Sequence, residues 1–135
     1  MEDQPEWMRR QELRGALADW LPTLNFDYFL TVTFRDPVPA YRSFAALRTV
    51  SGVISKGEKP RNLFLATEPH VLGSIHVHGL YARRSQSAAS EPDALWSKLF
   101  ASLGRSSVAR IRSTEDVATY CTKYVLKGLT DYLIE

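Results

Sequence analysis

The chain has 135 residues, 44% hydrophobic and 24% charged, enough for one compact domain with a single core, and residues 1–135 read as one domain. A formal net charge of +2 with a pI near 8.8 is too mild to name a nucleic acid as partner on its own. The single cysteine, Cys121, excludes an internal disulfide and a cysteine-rich zinc site, and no apolar run is long enough to span a bilayer.

Met1 to Arg14 is charged rather than apolar, so no secretory leader stands out and a cytoplasmic setting is expected. Pro5 to Leu21 carries Trp7, Leu13, Leu17 and Leu21 at helical spacing, and Pro22 ends that helix. Asp27 to Phe34 is aromatic and β-branched, a strand, and Asp36-Pro37 turns the chain. Tyr41, Phe44, Leu47, Val50 and Ile54 predict a helix between Pro39 and Lys56, with Gly57 as its stop. Asn62 to Glu68 and Ile75 to Ala82 read as two strands joined by a hairpin connection over Pro69 to Ser74. Ser85 to Ser90 is small and polar, a loop. Ser90 is the expected cap of a helix that runs to Leu103 and stops at Gly104. Val108 to Arg112 is a short fourth strand, and Ser113 or Thr114 caps a last helix ending at Gly128.

After the first helix the order is a split β-α-β-β-α-β unit, which predicts an α+β fold: an antiparallel sheet with helices on one face, followed by a final helix. Acids crowd towards the N-terminus (Glu2, Asp3, Glu6, Glu12, Asp19). Arg83, Arg84, Arg105, Arg110, Arg112, Lys123 and Lys127 make a basic half suited to a phosphate backbone. Arg83, Arg84, Arg110 and Arg112 are the candidate DNA contacts.

Alternate residues of a strand share a face, so His76 and His78 of Ile75-His76-Val77-His78-Gly79 point the same way and can converge on one metal ion. In the predicted hairpin, Glu68 lies across from them. Two imidazoles and one carboxylate suit a divalent ion such as Mn²⁺ or Mg²⁺ with positions left for water and phosphate oxygen. His70 falls in the turn and reads as a loop residue or DNA contact.

On the last helix Tyr120 and Tyr124 are one turn apart, and each has a lysine three residues on, Lys123 and Lys127. Ala118, Cys121, Val125 and Leu126 supply a core stripe, which sets both tyrosines out of that core or along its rim and leaves them free for another task. A phenol with an ordinary pKa of about 10 is a poor nucleophile at neutral pH. A divalent ion that polarises a phosphate, and a lysine beside the phenolate, would make up the deficit. The residues fit phosphoryl transfer to tyrosine.

In these motifs the sequence resembles the HUH endonuclease superfamily, and within it the replication initiator (Rep) proteins of small circular phages and plasmids. Phe29-Leu30-Thr31-Val32-Thr33-Phe34 looks like the first Rep motif, His76-Val77-His78 like the metal pair, and Tyr120 to Lys127 like the tyrosine helix with its lysine. Glu68 stands where many Rep proteins have a third ligand. The resemblance spans about Asp27 to Lys127. It implies a ferredoxin-like (RRM-like) sheet with Glu68, His76 and His78 holding Mn²⁺ or Mg²⁺ on its open face. It implies catalytic roles for Tyr120, Tyr124, Lys123 and Lys127, with Tyr120 the expected first nucleophile. The implied activity is sequence-specific nicking and strand transfer on single-stranded DNA, starting rolling-circle replication at an origin hairpin through a 5′-phosphotyrosine link. The implied setting is the cytoplasm of a bacterial or archaeal cell, on a phage or plasmid replicon. Many Rep proteins continue into a helicase. This chain has no Walker-type phosphate loop, so it either relies on a host helicase or is an excised domain.

Two other readings compete. A single-tyrosine HUH transposase usually follows its tyrosine with a glutamine, against the repeated Tyr-x-x-Lys here. A non-catalytic ssDNA- or RNA-binding module of the same fold would stack bases on sheet aromatics, and no convincing aromatic pair stands out.

Overall fold

The computed structural model describes residues 4–70, 73–121 and 131–135. Among these residues the elements are α1 (Glu6–Trp20), β1 (Tyr28–Phe34), α2 (Ser43–Ile54), β2 (Asn62–Pro69), β3 (Ile75–Ala82), α3 (Pro92–Ser102), β4 (Gly104–Arg110), α4 (Thr114–Tyr120) and β5 (Tyr132–Ile134). The strands form one antiparallel sheet in the order β4-β1-β3-β2-β5. Its first four positions are the ferredoxin-like (RRM-like) arrangement of an α+β fold, and β5 extends it at the β2 edge. No helix among the described residues is long and apolar enough to cross a membrane.

Alternation along the strands divides the core into two layers. Tyr28, Leu30 and Val32 of β1, Leu63 and Leu65 of β2, and Val77 and Tyr81 of β3 face α2 and α3, where Leu47, Val50, Ile54, Leu95 and Leu99 are buried. Each such aliphatic side chain contributes about 1.5–3 kcal/mol on leaving water. Phe64, Ala66, Leu80 and Ala82 face the other way, onto Leu17 and Leu21 of the N-terminal segment and Val117 and Cys121 of the C-terminal one. Helices therefore cover both faces, where one face was expected. α2 and α3 are the crossovers of the split β-α-β units and share a side, as right-handed connections require. α1 and α4 lie outside those units, and apolar residues send them to the opposite side.

Three boundaries differ from the sequence reading. β4 begins at Gly104 rather than near Val108. Gly104 has φ +132°, and a Cβ there would come within 2.4 Å of the Arg35 amide nitrogen, so glycine lets the chain turn from α3 straight into the strand. Ser90 does not cap α3. It sits in a short 3-10 turn with its hydroxyl bonded back to Ser85 and Ser87, and Glu91 is the residue before the helix. β5 was not expected. At the start of α4 the anticipated cap is Ser113, whose hydroxyl accepts from the Asp116 amide at 3.2 Å.

Candidate active site

Antiparallel pairing lines residues up across the sheet. Arg105 stands opposite Thr33, Thr33 opposite His76, and His76 opposite Glu68. The next row on the same face is Ser107, Thr31, His78 and Ala66, and the third is Ala109, Phe29, Leu80 and Phe64. Phe29, Leu80 and Phe64 of the third row pack with α1 and α4. The first row is the least covered: Glu68, His76 and Thr33 are half-buried and Arg105 is exposed. One face of the sheet thus passes from apolar and roofed to polar and open over two rows.

The expected metal donors lie on that face. His78 is 7% exposed, and its Nε2 contacts the Glu68 carboxylate oxygen Oε2. His76 is directly opposite Glu68, but its ring lies against His70, with centroids 4.8 Å apart. Among the described residues no three His, Cys, Asp or Glu side chains close on a single point. The chemistry of the donors still fits a divalent ion, since an imidazole nitrogen and a carboxylate oxygen already meet and a second imidazole shares their strand face. Glu68, His76 and His78 are the residues that would hold it. Burial pushes the His78 pKa below the usual histidine value, and Glu68 only partly offsets this. Burial also lowers that of His76, helped by the neighbouring His70 and His78 imidazoles. Both shifts favour the neutral ring, the form that offers a lone pair to a cation.

α4 crosses the same face. Val117, Tyr120 and Cys121, at helical spacing, point at the sheet. The Tyr120 hydroxyl donates to the Leu30 carbonyl oxygen at 2.8 Å and lies 3.3 Å from His78 Nδ1. Its ring stacks on Phe29 with centroids 4.3 Å apart. Of the two expected placements, out of the core or along its rim, Tyr120 takes the rim, half-buried and packed against the cluster under α4. Burial drives its phenol pKa far above the usual value, and burial pushes the adjoining Cys121 thiol up to about 11. Tyr124, Lys123 and Lys127 lie outside the described residues.

The arginines divide differently from the sequence reading. The Arg83 side chain is 7% exposed and bonds to Ser90, Gln86, Ser87 and Glu91, so it ties a loop to the start of α3. Arg84 donates to the carbonyls of Lys59 and Pro60, and Arg110 reaches Glu91. Arg105 instead lines two adjoining hollows. One is shared with Thr33, Ser74, His70 and His76, the other with Thr31, Thr33 and Ser107. Its place in the row was hidden because the sequence reading began the strand three residues after it. The signal that could have found it is the glycine at 104, read as a strand start as well as a helix stop.

No protein-family model matches the chain, and no curated protein matches it.

Proposed function

We propose that the chain is a divalent-metal-dependent endonuclease that nicks single-stranded DNA by tyrosine attack and transfers the strand, as an initiator of rolling-circle replication. The observation that carries this reading is the cross-sheet row Arg105, Thr33, His76 and Glu68 beside His78, with a tyrosine-bearing helix on the same face. The row spans three strand spacings, roughly 14 Å. It sets a cation-binding carboxylate and imidazoles at one end and a guanidinium for a phosphate at the other.

A divalent ion held by Glu68, His76 and His78 would supply Lewis-acid polarisation of the scissile phosphate. Thr33 and Arg105 line the path of the neighbouring backbone. The nucleophile comes from the Tyr120 and Tyr124 pair, with Lys123 and Lys127 supplying positive charge near the phenolate. The phenol loses its proton and its oxygen bonds to phosphorus as the bond from phosphorus to the 3′-oxygen breaks. That oxygen takes up a proton and leaves as a 3′-hydroxyl. One phosphoester replaces another, so the linkage is conserved and the reverse step can rejoin a strand. A partner helicase would keep the origin single-stranded.

A base-stacking module of the same fold is less well supported. Phe29 and Phe64, the β1 and β2 aromatics of this face, are packed with α1 and α4 rather than offered to bases.

Denaturing electrophoresis after incubation with labelled single-stranded DNA and Mn²⁺ tests the proposal. Wild type gives a slower, covalently linked band. The band is absent from His76→Ala, from His78→Ala, and from the double variant Tyr120→Phe with Tyr124→Phe. Cutting without a covalent band, or an undiminished band in either histidine variant, overturns it.

A further inference from the structure

We infer that Trp96 and Phe100 of α3 form a stacking platform for unpaired bases of the strand; the inference rests on the single-stranded substrate of the reading above. The two residues are four apart, so they share one face of the helix. Their ring centroids are 5.1 Å apart with planes 19° from parallel. Trp96 is 41% exposed and Phe100 47%, whereas Phe29 and Phe64 of the sheet face are packed with α1 and α4. The indole is also pinned. β4 ends the sheet, so alternate backbone carbonyls point away from it, and that of Ser106 accepts from Trp96 Nε1 at 2.9 Å. A ring held by its edge has its orientation set before a ligand arrives, which lowers the entropy cost of stacking on it.

The surroundings favour a nucleotide strand as the occupant. The hollow of Thr31, Thr33, Arg105 and Ser107 on the open face runs out to Ser106, the residue Trp96 holds. A strand lying in that hollow and leaving the sheet across β4 meets the α3 rings next. Exposed guanidiniums stand at both ends of this step. One is Arg105, the neighbour of Ser106 in β4. The other is Arg35, whose Nη2 donates to the Phe100 carbonyl oxygen at 2.9 Å. Cations for phosphates beside planar faces for bases are what a single strand requires. Asp93, one turn before Trp96, repels a phosphate and bounds the platform at that end. The other exposed residues of α3 are Ala94, Ser97, Ala101 and Ser102, small or polar. The aromatic surface of the helix is therefore two rings wide, small against the roughly 800 Å² per partner of a stable protein interface.

Binding in EDTA, followed by fluorescence anisotropy, tests the platform without the metal or the covalent step. A short oligothymidine is compared with an abasic strand carrying the same number of phosphates. Wild type is expected to hold the oligothymidine more tightly. Trp96→Leu and Phe100→Leu are each expected to weaken oligothymidine binding about tenfold and to hold the abasic strand as wild type does. The slope of log affinity against log salt stays unchanged, because stacking releases no counterions. Phe100→Leu leaves the Trp96 bond to Ser106 in place, so its loss cannot come from freeing the edge of β4. In Trp7→Phe with Trp20→Phe, where Trp96 is the remaining indole, the oligothymidine quenches the fluorescence and the abasic strand does not. Wild-type oligothymidine affinity in both leucine variants overturns the inference. So does an equal loss on both strands, an absent quench, or a wild type that binds neither strand. A concentration-dependent dimer in sedimentation that Phe100→Leu abolishes, with base-dependent binding intact, gives the face to a second copy instead. A wild type that shows the quench but never forms the covalent band with Mn²⁺ sinks the nuclease reading alone.

Discussion

A Cβ built on Gly79, the residue after His78, would meet Leu65 Cδ2 at 2.6 Å and the Phe64 carbonyl oxygen at 3.0 Å. The position faces the α2–α3 layer between two buried leucines, and only glycine lets β3 lie this close to β2. Gly79→Ala should therefore cost about 1–3 kcal/mol through overpacking, read as a lower urea midpoint with an unchanged slope. A variant as stable as wild type would mean that Leu65 has room to move aside. Two arginines offer a contrast at the same scale. Arg83→Ala removes the guanidinium hydrogen bonds to Ser90, Gln86, Ser87 and Glu91 that tie this loop to the start of α3. It should lose about 1–3 kcal/mol of stability while its affinity for single-stranded DNA stays at the wild-type level. Arg105→Ala should do the reverse. Stability stays within about 0.5 kcal/mol, while DNA affinity falls and the slope of log affinity against log salt drops by about 1. Equal DNA affinities and slopes for Arg105→Ala and wild type would remove the guanidinium from the proposed path.

How far each element could be read from the sequence follows from where it sits. β2 and β3 are interior strands, and their side-chain pattern carries the burial of both layers, so their limits and the shared face of His76 and His78 were legible. The opposition of Glu68 to His76 followed from the hairpin. β4 is an edge strand with exposed Arg105, Ser107 and Ala109, so no hydrophobic alternation announces its first half. That half holds Arg105, which the sequence placed in the basic half of the chain but not among the candidate DNA contacts. α4 was legible from its Ser113 cap and acidic first turn. The side of the sheet it takes was not, because only crossover helices obey a handedness rule. Helical periodicity placed Tyr120 beside the core stripe. What it could not supply was Phe29, a partner ninety-one residues earlier in the chain that holds the tyrosine against that core.

At the scale of the molecule, the C-terminal strand braces the side of the sheet that carries Glu68. Leu63 and Glu135 exchange two backbone hydrogen bonds of 2.8 Å, and Thr67 donates to the Asp131 carbonyl at 3.1 Å. The Glu135 carboxylate accepts from the Ser51 hydroxyl of α2 at 2.8 Å. Removing residues 131–135 should lower stability by roughly 2–4 kcal/mol, a few backbone bonds at about 1 kcal/mol each. It also bares the outer edge of β2 to pairing with other chains. Scanning calorimetry and sedimentation check the two effects, and an unchanged, monomeric protein would show that β2 needs no cover. The pairing of β3 on both flanks has a consequence of its own. Side chains alternate with period two, so sliding β3 by one residue would swing both imidazoles into the aliphatic layer and Val77 out of it. A cation bound across β2 and β3 would then report which alignment the strands have adopted, and by mass action it would favour the correct one by RT ln(1 + [ion]/Kd). Refolding with the ion present would thereby act as a proofreading step, discarding slipped sheets for want of a ligand pair.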